Sequence, residues 1–130
     1  MTALPSTLMK RYVEAVERKD WEAATAFWAD DVLLHFPVRN PFSGDFSGKE
    51  AFLERYGRLS AELGGTIALA EVHEVLLGAE HVVALVRQRA VRGEQSLEFE
   101  RVNAYSCGGG KITEIWAYDY DPCALEEFWS

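Results

Sequence analysis

The fold is decided by residues 81–120, HVVALVRQRAVRGEQSLEFERVNAYSCGGGKITEIWAYDY. This stretch contains three long runs rich in β-branched and aromatic residues, at 81–91, 96–107 and 112–120, and short glycine-containing breaks separate them. Runs of this kind predict antiparallel strands joined by hairpins. A similar run at 66–77 precedes them, so the second half of the chain predicts a meander of four long strands.

The first half of the chain shows helical spacing instead. Apolar residues recur every three or four positions over residues 5–18, 20–28 and 50–63, which predicts three helices. Ser47 and Glu50 have the spacing of a capping box, so the third helix is predicted to begin there.

The segment between the second and third helices is predicted to hold one short strand and a loop. Residues 32–36 are mostly apolar and predict the strand, which Pro37 ends. Two prolines and a glycine within 37–47 predict the loop. Near the end of the chain, Asp121 and Pro122 predict the N-cap and the first position of a short helix.

Together these elements predict one α+β domain over residues 1–130, a length that suits a single core. The helices must cover one face of the sheet, because both have an apolar side to bury. A strongly bent sheet that is covered at one end leaves a conical hollow, and such a hollow is a natural place for a ligand.

The chain is acidic, since 13 Lys and Arg against 21 Asp and Glu give a net charge of −8. We expect no binding to nucleic acid or to anionic membranes, because both need clustered cations. The apolar runs are far shorter than a membrane span, and the N-terminus lacks a signal-peptide pattern. The two cysteines, Cys107 and Cys123, have no metal-binding spacing, so we expect a reduced, cytoplasmic protein.

No metal and no cofactor is expected from the sequence. His73 and His81 have no neighbouring ligand at a spacing that would close a metal site. The glycines at 108–110 join two strands rather than a strand and a helix, so they predict a turn and not a phosphate cradle.

Several short motifs resemble those of Δ5-3-ketosteroid isomerase and the SnoaL-like proteins, which belong to the nuclear-transport-factor-two-like superfamily. The motifs are KRYV at 10–13, FWADD at 27–31, FP at 36–37, FSGKE at 46–50, GGGKITE at 108–114 and DYDP at 119–122. The resemblance spans nearly the whole chain. It implies a cystatin-like cone of three N-terminal helices packed on a strongly curved, mostly antiparallel sheet.

The resemblance also implies where a site would lie. Tyr12 corresponds to the oxyanion tyrosine of the isomerase, Tyr56 to a supporting tyrosine, and Asn103 to the protonated aspartate of the oxyanion hole. Phe36 stands where the isomerase has its aspartate base. The implied donors are therefore present and the usual base is missing, so ordinary ketosteroid isomerisation is not expected.

Strand parity extends this site, because residues two apart on a strand face the same side. If Asn103 faces the hollow, so do Phe99, Arg101 and Tyr105, and on the last strand Ile115, Ala117 and Asp119 share one face. The expected catalytic residues are Tyr12, Asn103 and Asp119, and the expected ligand-binding residues are Trp28, Phe36, Tyr56, Phe99, Arg101, Ile115 and Ala117.

Structural roles compete with these functional ones. Tyr12 and Tyr56 could equally be aromatic residues of the core. Asn103 could equally be a residue whose side chain hydrogen-bonds to the backbone. Arg101 and Asp119 could pair, which would lower the pKa of Asp119 and make it an anchor. An unpaired Asp119 in an apolar cavity would have a raised pKa and could move a proton.

Three functions are consistent with this pattern. The first is a cofactor-independent isomerase, cyclase or lyase that acts on a hydrophobic carbonyl compound. The second is a module that binds a small hydrophobic ligand without turnover, and the third is a dimeric scaffold. In each case we expect a homodimer through the outer face of the sheet, where Trp116 and Tyr118 lie, with Leu85, Arg87 or Arg89 opposite.

Overall fold

The computed structural model describes residues 5–37 and 41–130. In these residues the order of elements is α1 (Pro5–Glu17), α2 (Trp21–Ala26), β1 (Trp28–Phe36), β2 (Gly44–Ser47), α3 (Lys49–Leu63), β3 (Gly65–Leu77), β4 (His81–Arg92), β5 (Gln95–Gly108), β6 (Lys111–Asp119) and α4 (Pro122–Trp129). The predicted α+β class is confirmed, and so are the four long strands, each within one residue of its predicted ends.

The six strands form one mixed sheet in the order β2-β1-β6-β5-β4-β3. The pairing of β1 with β6 is parallel, and the other pairs are antiparallel. The register of β3 against β4 shifts between Leu69 and Glu71 and again between Val72 and Glu74. Such irregularities bend a strand and increase its twist, so they curve β3.

Two predictions about the segment before α3 are wrong. Residues 44–47 are not loop but form β2, which pairs with β1 through residues such as Leu33 and Ser47. The capping box is absent, because Gly48 is the N-cap, with a φ of 99° and no side-chain capping bond. Ser47 is instead the last residue of β2, so it is not the N-cap of α3.

The two aspartates predicted to cap helices do so. The Asp20 carboxylate accepts a hydrogen bond from the Ala23 amide at 3.1 Å, and Asp121 accepts one from the Ala124 amide at 3.1 Å. The second helix is shorter than predicted, because Trp28 already belongs to β1. This early start of β1 places the Trp28 indole beside α1.

Two apolar clusters hold the layers together. The larger one joins α1 to the inner face of the sheet and includes Leu8, Met9, Ala15, Val32, Leu34, Val82 and Ile112. The smaller one lies under α4 and contains Phe42, Ala90, Phe99, Leu125 and Trp129. Between the clusters, the inner face of the sheet remains partly uncovered and forms the wall of a cavity. Within the described ranges, no helix is long and apolar enough to cross a membrane.

Candidate functional site

A cavity of about 580 Å³ lies between α1, α2 and α3 and the inner face of the sheet. Its volume falls in the range typical of small-molecule sites, roughly 300–1,000 Å³. Most of the described residues that line it are aliphatic or aromatic, among them Val16, Trp28, Phe52, Val72, Val86 and Ile115. Trp21 and Leu53 also line it and remain 46% and 40% exposed, so they mark its opening to solvent.

At one end of the cavity, hydroxyl and indole groups from three elements meet. The Trp28 Nε1 atom donates a hydrogen bond of 3.3 Å to the Tyr12 hydroxyl oxygen. The Tyr12 ring packs edge-on against Tyr105, with ring centroids 5.8 Å apart. The Tyr12 hydroxyl donates to no other group among the described residues, so its proton remains available to a ligand.

Both phenols are neutral near pH 7, and burial makes their ionisation still less favourable. Burial raises the pKa of Tyr12 above the ordinary value of 10.0, and the hydrogen bond from Trp28 opposes the rise. Burial also raises the pKa of Tyr105, and the nearby Tyr12 raises it further. A hydrogen bond with Asn103 lowers the pKa of Tyr105. Neutral phenols donate hydrogen bonds and are poor bases, so this end of the cavity can polarise an oxygen atom.

Asn103 lies on the inner face of β5, two residues from Tyr105, and is only 8% exposed. It lines the cavity, and its pairing partner on β6 is Ala117. Whichever way the Asn103 amide is oriented towards the Tyr105 hydroxyl, one N–H or O–H of this pair stays unused by the other. The pair therefore adds at least one donor to that of Tyr12.

Arg101 follows at the next inward position of β5 and pairs with Asp119 on β6. Its Nε atom donates to Asp119 Oδ1 at 2.7 Å, and the two side chains are 9% and 1% exposed. Asp119 Oδ2 is buried and has no hydrogen-bond partner among the described residues. The pair is thus a buried ion pair and not the surface pair that the sequence left open.

Phe36 and Tyr56 line the cavity but differ from the implied catalytic pattern. The Phe36 ring stacks on Phe52, with centroids 5.6 Å apart and planes 20° apart, so an apolar surface occupies the position of the missing base. The Tyr56 hydroxyl donates to the Ile67 carbonyl at 2.6 Å and accepts from the Ile67 amide at 2.9 Å. Its proton is therefore used by β3, and Tyr56 does not support Tyr12.

The structure places seven of the ten expected site residues on the cavity wall: Tyr12, Trp28, Phe36, Tyr56, Arg101, Asn103 and Ile115. Asp119, Phe99 and Ala117 share their parity but do not line the cavity. Asp119 lies behind the Arg101 guanidinium, and Phe99 packs into the cluster under α4. Ala117 presents only a methyl group and is 1% exposed.

Among the lining residues that were not expected site residues, Tyr105 and Gln88 bring polar groups to the inner face of the sheet. Parity already placed Tyr105 on the inner face. Gln88 interrupts the apolar inner face of β4, on which Val82, Ala84, Val86 and Ala90 are buried, and is itself only 7% exposed. A polar residue within such an alternating apolar stripe was the signal in the sequence that could have identified Gln88.

His35 lies on the opposite face of the sheet, as strand alternation from Phe36 requires. Its ring contacts Asp45 at 2.9 Å and Glu114 at 2.6 Å and stacks on Trp116. Hydrogen bonds with Asp45 and then with Glu114 raise the pKa of His35, because an imidazolium can donate to both carboxylates at once. In the described part of the chain, no group of three His, Cys, Asp or Glu side chains could hold a metal ion.

Comparisons with known proteins agree with this architecture. The sequence model of a family described as a SnoaL-like domain matches residues 9–115. The uncharacterised protein Rv0034 of Mycobacterium tuberculosis is 29% identical over 124 residues, which cover 95% of this chain and 94% of that protein.

Solved structures share the fold over nearly the whole chain. Bal32a, from a soil-derived mobile gene cassette, has a TM-score of 0.81 at 26% identity, covering 96% of this chain and 95% of that one. A protein of unknown function with a cystatin-like fold from Xanthomonas campestris has a TM-score of 0.85 at 20% identity, covering 98% of this chain and 99% of that one. TerC, co-crystallised with polyporic acid, has a TM-score of 0.77 at 18% identity, covering 93% and 94%.

Proposed function

Because the chain belongs to the SnoaL-like domain family, we propose that its cavity binds one small hydrophobic molecule that carries a carbonyl or enol oxygen. The single observation that carries this proposal is a mostly apolar cavity wall on which the neutral donors of Tyr12, Tyr105 and Asn103 lie close together. An apolar wall provides affinity through buried surface, and a few placed donors set the orientation of the ligand.

The ligand oxygen would lie against the donors of Tyr12, Tyr105 and Asn103. The Tyr12 oxygen accepts from Trp28, and within the described part of the chain its proton is donated to no other group. The phenols remain neutral around pH 7, since burial raises the pKa of each. A neutral donor on an apolar cavity wall stabilises a carbonyl and, more strongly, an oxygen that gains negative charge.

Removal of the Tyr12 hydroxyl is expected to weaken ligand binding. With 2-acetylnaphthalene, a compact aryl ketone, as the probe, we expect Tyr12→Phe to raise the dissociation constant roughly five- to tenfold, the loss of one neutral hydrogen bond. Isothermal titration calorimetry measures this change. Tyr120→Phe is the matched control, because Tyr120 is 88% exposed and does not line the cavity.

A second variant tests the position of the ligand independently of hydrogen bonding. Ala84 is 2% exposed and lines the cavity, so Ala84→Phe would place a ring in the space that the ligand needs. Folded Ala84→Phe protein that binds the ketone as tightly as the wild type would contradict the proposal, and so would a wild type that binds no aryl ketone at all.

Catalysis at the same donors is the second candidate function, and the donor geometry favours it. A cofactor-independent isomerase, cyclase or lyase needs an oxyanion site of this kind. The described wall has no carboxylate or histidine to act as a base, so the proton would have to move within the substrate or through water. The same ketone in D₂O distinguishes the candidates: exchange of its methyl protons above the buffer rate supports catalysis, and exchange at the buffer rate supports binding alone.

We further propose that the outer face of the sheet pairs with a second copy of the chain. The register places Leu85, Val102 and Tyr118 side by side, and Leu76, Val83, Ala104 and Trp116 in the next row. Leu76, Val102 and Tyr118 are 47%, 37% and 51% exposed. A contiguous apolar face of this kind is typical of an interface between subunits.

The dimer is expected to show in the molar mass in solution. Light scattering at micromolar concentration should give twice the chain mass of 14.6 kDa for the wild type. Tyr118→Glu should give the monomer, because an unpaired charge at the centre of an apolar interface is expensive to bury. Tyr120→Glu adds the same charge two residues away and should remain dimeric. A monomeric wild type would exclude this interface.

A further inference from the structure

Arg101 is the one charged side chain among the described residues that line the cavity. The described wall contains no aspartate, glutamate, histidine or lysine, although the chain as a whole has a net charge of −8. Asp119 already balances the charge of Arg101, so a ligand would be recognised by the guanidinium N–H groups that this ion pair leaves unused.

The protein uses only part of the hydrogen-bonding capacity of this guanidinium. The Nε atom donates to Asp119 Oδ1 at 2.7 Å, and this is the one hydrogen bond that it makes within the described part of the chain. A guanidinium has five N–H groups, so the four on its two Nη atoms remain for other partners. Asp119 itself does not line the cavity and holds Arg101 from behind.

Aromatic rings restrict the position of the same group. The Arg101 Cζ atom lies 5.8 Å from the centroid of the Phe36 ring and 5.2 Å from that of Phe99. Together with the Asp119 contact, these rings hold the guanidinium in place before any ligand arrives. A donor that is already oriented binds with a smaller loss of entropy.

The guanidinium and the phenols lie towards opposite ends of the β5 wall of the cavity, and Asn103 lies midway between them. Arg101 and Tyr105 are four residues apart on β5, which corresponds to about 13 Å along the strand, so Asn103 is about 7 Å along the strand from each. Gln88, which lines the cavity near the Arg101 end, is diagonal to Arg101 across the β4–β5 ladder. A ligand that satisfies both ends needs two polar groups joined by an apolar body.

We propose that the ligand is an apolar keto acid or enol acid. Its carboxylate lies on the Nη atoms of Arg101, and its carbonyl or enol oxygen lies on the donors of Tyr12, Tyr105 and Asn103. This inference rests on the proposed function and adds to it the charge of the ligand and the residue that recognises the charge.

The relative affinity of an acid and its ester is decisive. Transfer of a carboxylate from water into an apolar cavity is strongly unfavourable without a partner, so a cavity lacking an available cation would prefer the uncharged ester. A guanidinium with free Nη donors reverses this preference through two charge-assisted hydrogen bonds. The methyl ester keeps the naphthalene ring and the ketone of the acid but has no charge and carries one additional methyl group.

The experiment is calorimetric titration at pH 7.5 with 6-acetyl-2-naphthoic acid and with its methyl ester. We expect the acid to bind the wild type at least tenfold more tightly than the ester. Arg101→Gln should lose this preference, and Arg101→Lys, which keeps the charge, should retain part of it. Arg58→Gln is the matched control, because Arg58 is exposed on α3 and does not line the cavity, and its preference should equal that of the wild type. Circular dichroism establishes that each variant is folded.

The outcomes distinguish a failure of the acid-ligand proposal from a failure of the proposed binding function. If the wild type binds the ester as tightly as the acid, the acid ligand is wrong and the proposed binding function stands. The same conclusion follows if folded Arg101→Gln keeps the full preference for the acid. If neither compound nor 2-acetylnaphthalene binds, the proposed function itself fails. The comparison of acid with ester in the wild type decides the question even if Arg101→Gln does not fold.

Discussion

Replacement of Gly65 with alanine is expected to lower the free energy of unfolding by about 3 kcal/mol, near the upper limit for overpacking a core. A Cβ atom at Gly65 would lie 2.7 Å from the Trp129 ring and would also clash with the backbone carbonyl of Val91. That carbonyl belongs to β4, the strand paired with β3, so it cannot move without disturbing the ladder. Thermal unfolding should shift down by about 10 °C for a domain of this size.

Gly57 offers a matched control of opposite sign. It lies within α3, and a Cβ atom there would meet nothing within 4 Å. Gly57→Ala should therefore raise the stability by about 0.5–1 kcal/mol, because alanine favours the helix and restricts the unfolded chain. Equal effects of the two substitutions would show that the contact with Trp129 is not the cause.

The Gly65 contact also bears on the cavity. Trp129 packs edge-on against Phe42 with ring centroids 4.9 Å apart, and Phe42 lines the cavity. Arg92 holds the end of α4 by donating to the Trp129 carbonyl at 3.3 Å. A glycine on β3 thus lets the helix at the end of the chain support the cavity wall.

Asp119→Ala is expected to destabilise the fold by about 3 kcal/mol, the lower part of the range for removing one partner of a buried ion pair. The loss leaves the Arg101 guanidinium, which is 9% exposed, without its counter-charge. The lower value applies because Arg101 also faces the cavity, where water can reach it. Urea unfolding monitored by tryptophan fluorescence measures the change.

Two comparisons identify the ion pair as the cause. Asp119→Asn keeps an acceptor for the Arg101 Nε atom and should lose less than Asp119→Ala. Glu98→Ala removes a carboxylate that lies 3.8 Å from Arg87 at the surface, where both side chains are exposed, and should change the stability by at most about 1 kcal/mol. A loss for Asp119→Ala as small as that for Glu98→Ala would mean that water compensates the cation fully.

The elements that the sequence predicted well are those with a strong local pattern. The long strands alternate and end at glycine turns, and Asp20 and Asp121 precede helices at capping positions. The missed strand, β2, has only four residues and begins with Gly44, so nothing local distinguishes it from a loop. It exists because β1 offers it an edge to pair with.

The candidate site likewise has features that a local pattern predicted and features that depend on tertiary contacts. Alternation along β5 correctly grouped Asn103 and Arg101 on the inner face, and helical spacing placed Tyr12 on the inner face of α1. Alternation could not establish that Tyr56 uses its proton on the Ile67 carbonyl, since that bond joins α3 to β3. The role of a polar side chain depends on the partner that packing brings to it.

By itself, the sequence determined the α+β class, the long strands and the sides that their residues face, because alternation and turn residues are local properties of the chain. Only the tertiary structure decided which inward-facing groups reach the cavity. Arg101 and Asp119 are equivalent by parity, yet the guanidinium lies on the wall and the carboxylate lies behind it. That difference arises from side-chain length and from packing between residues far apart in the chain, which no local pattern encodes.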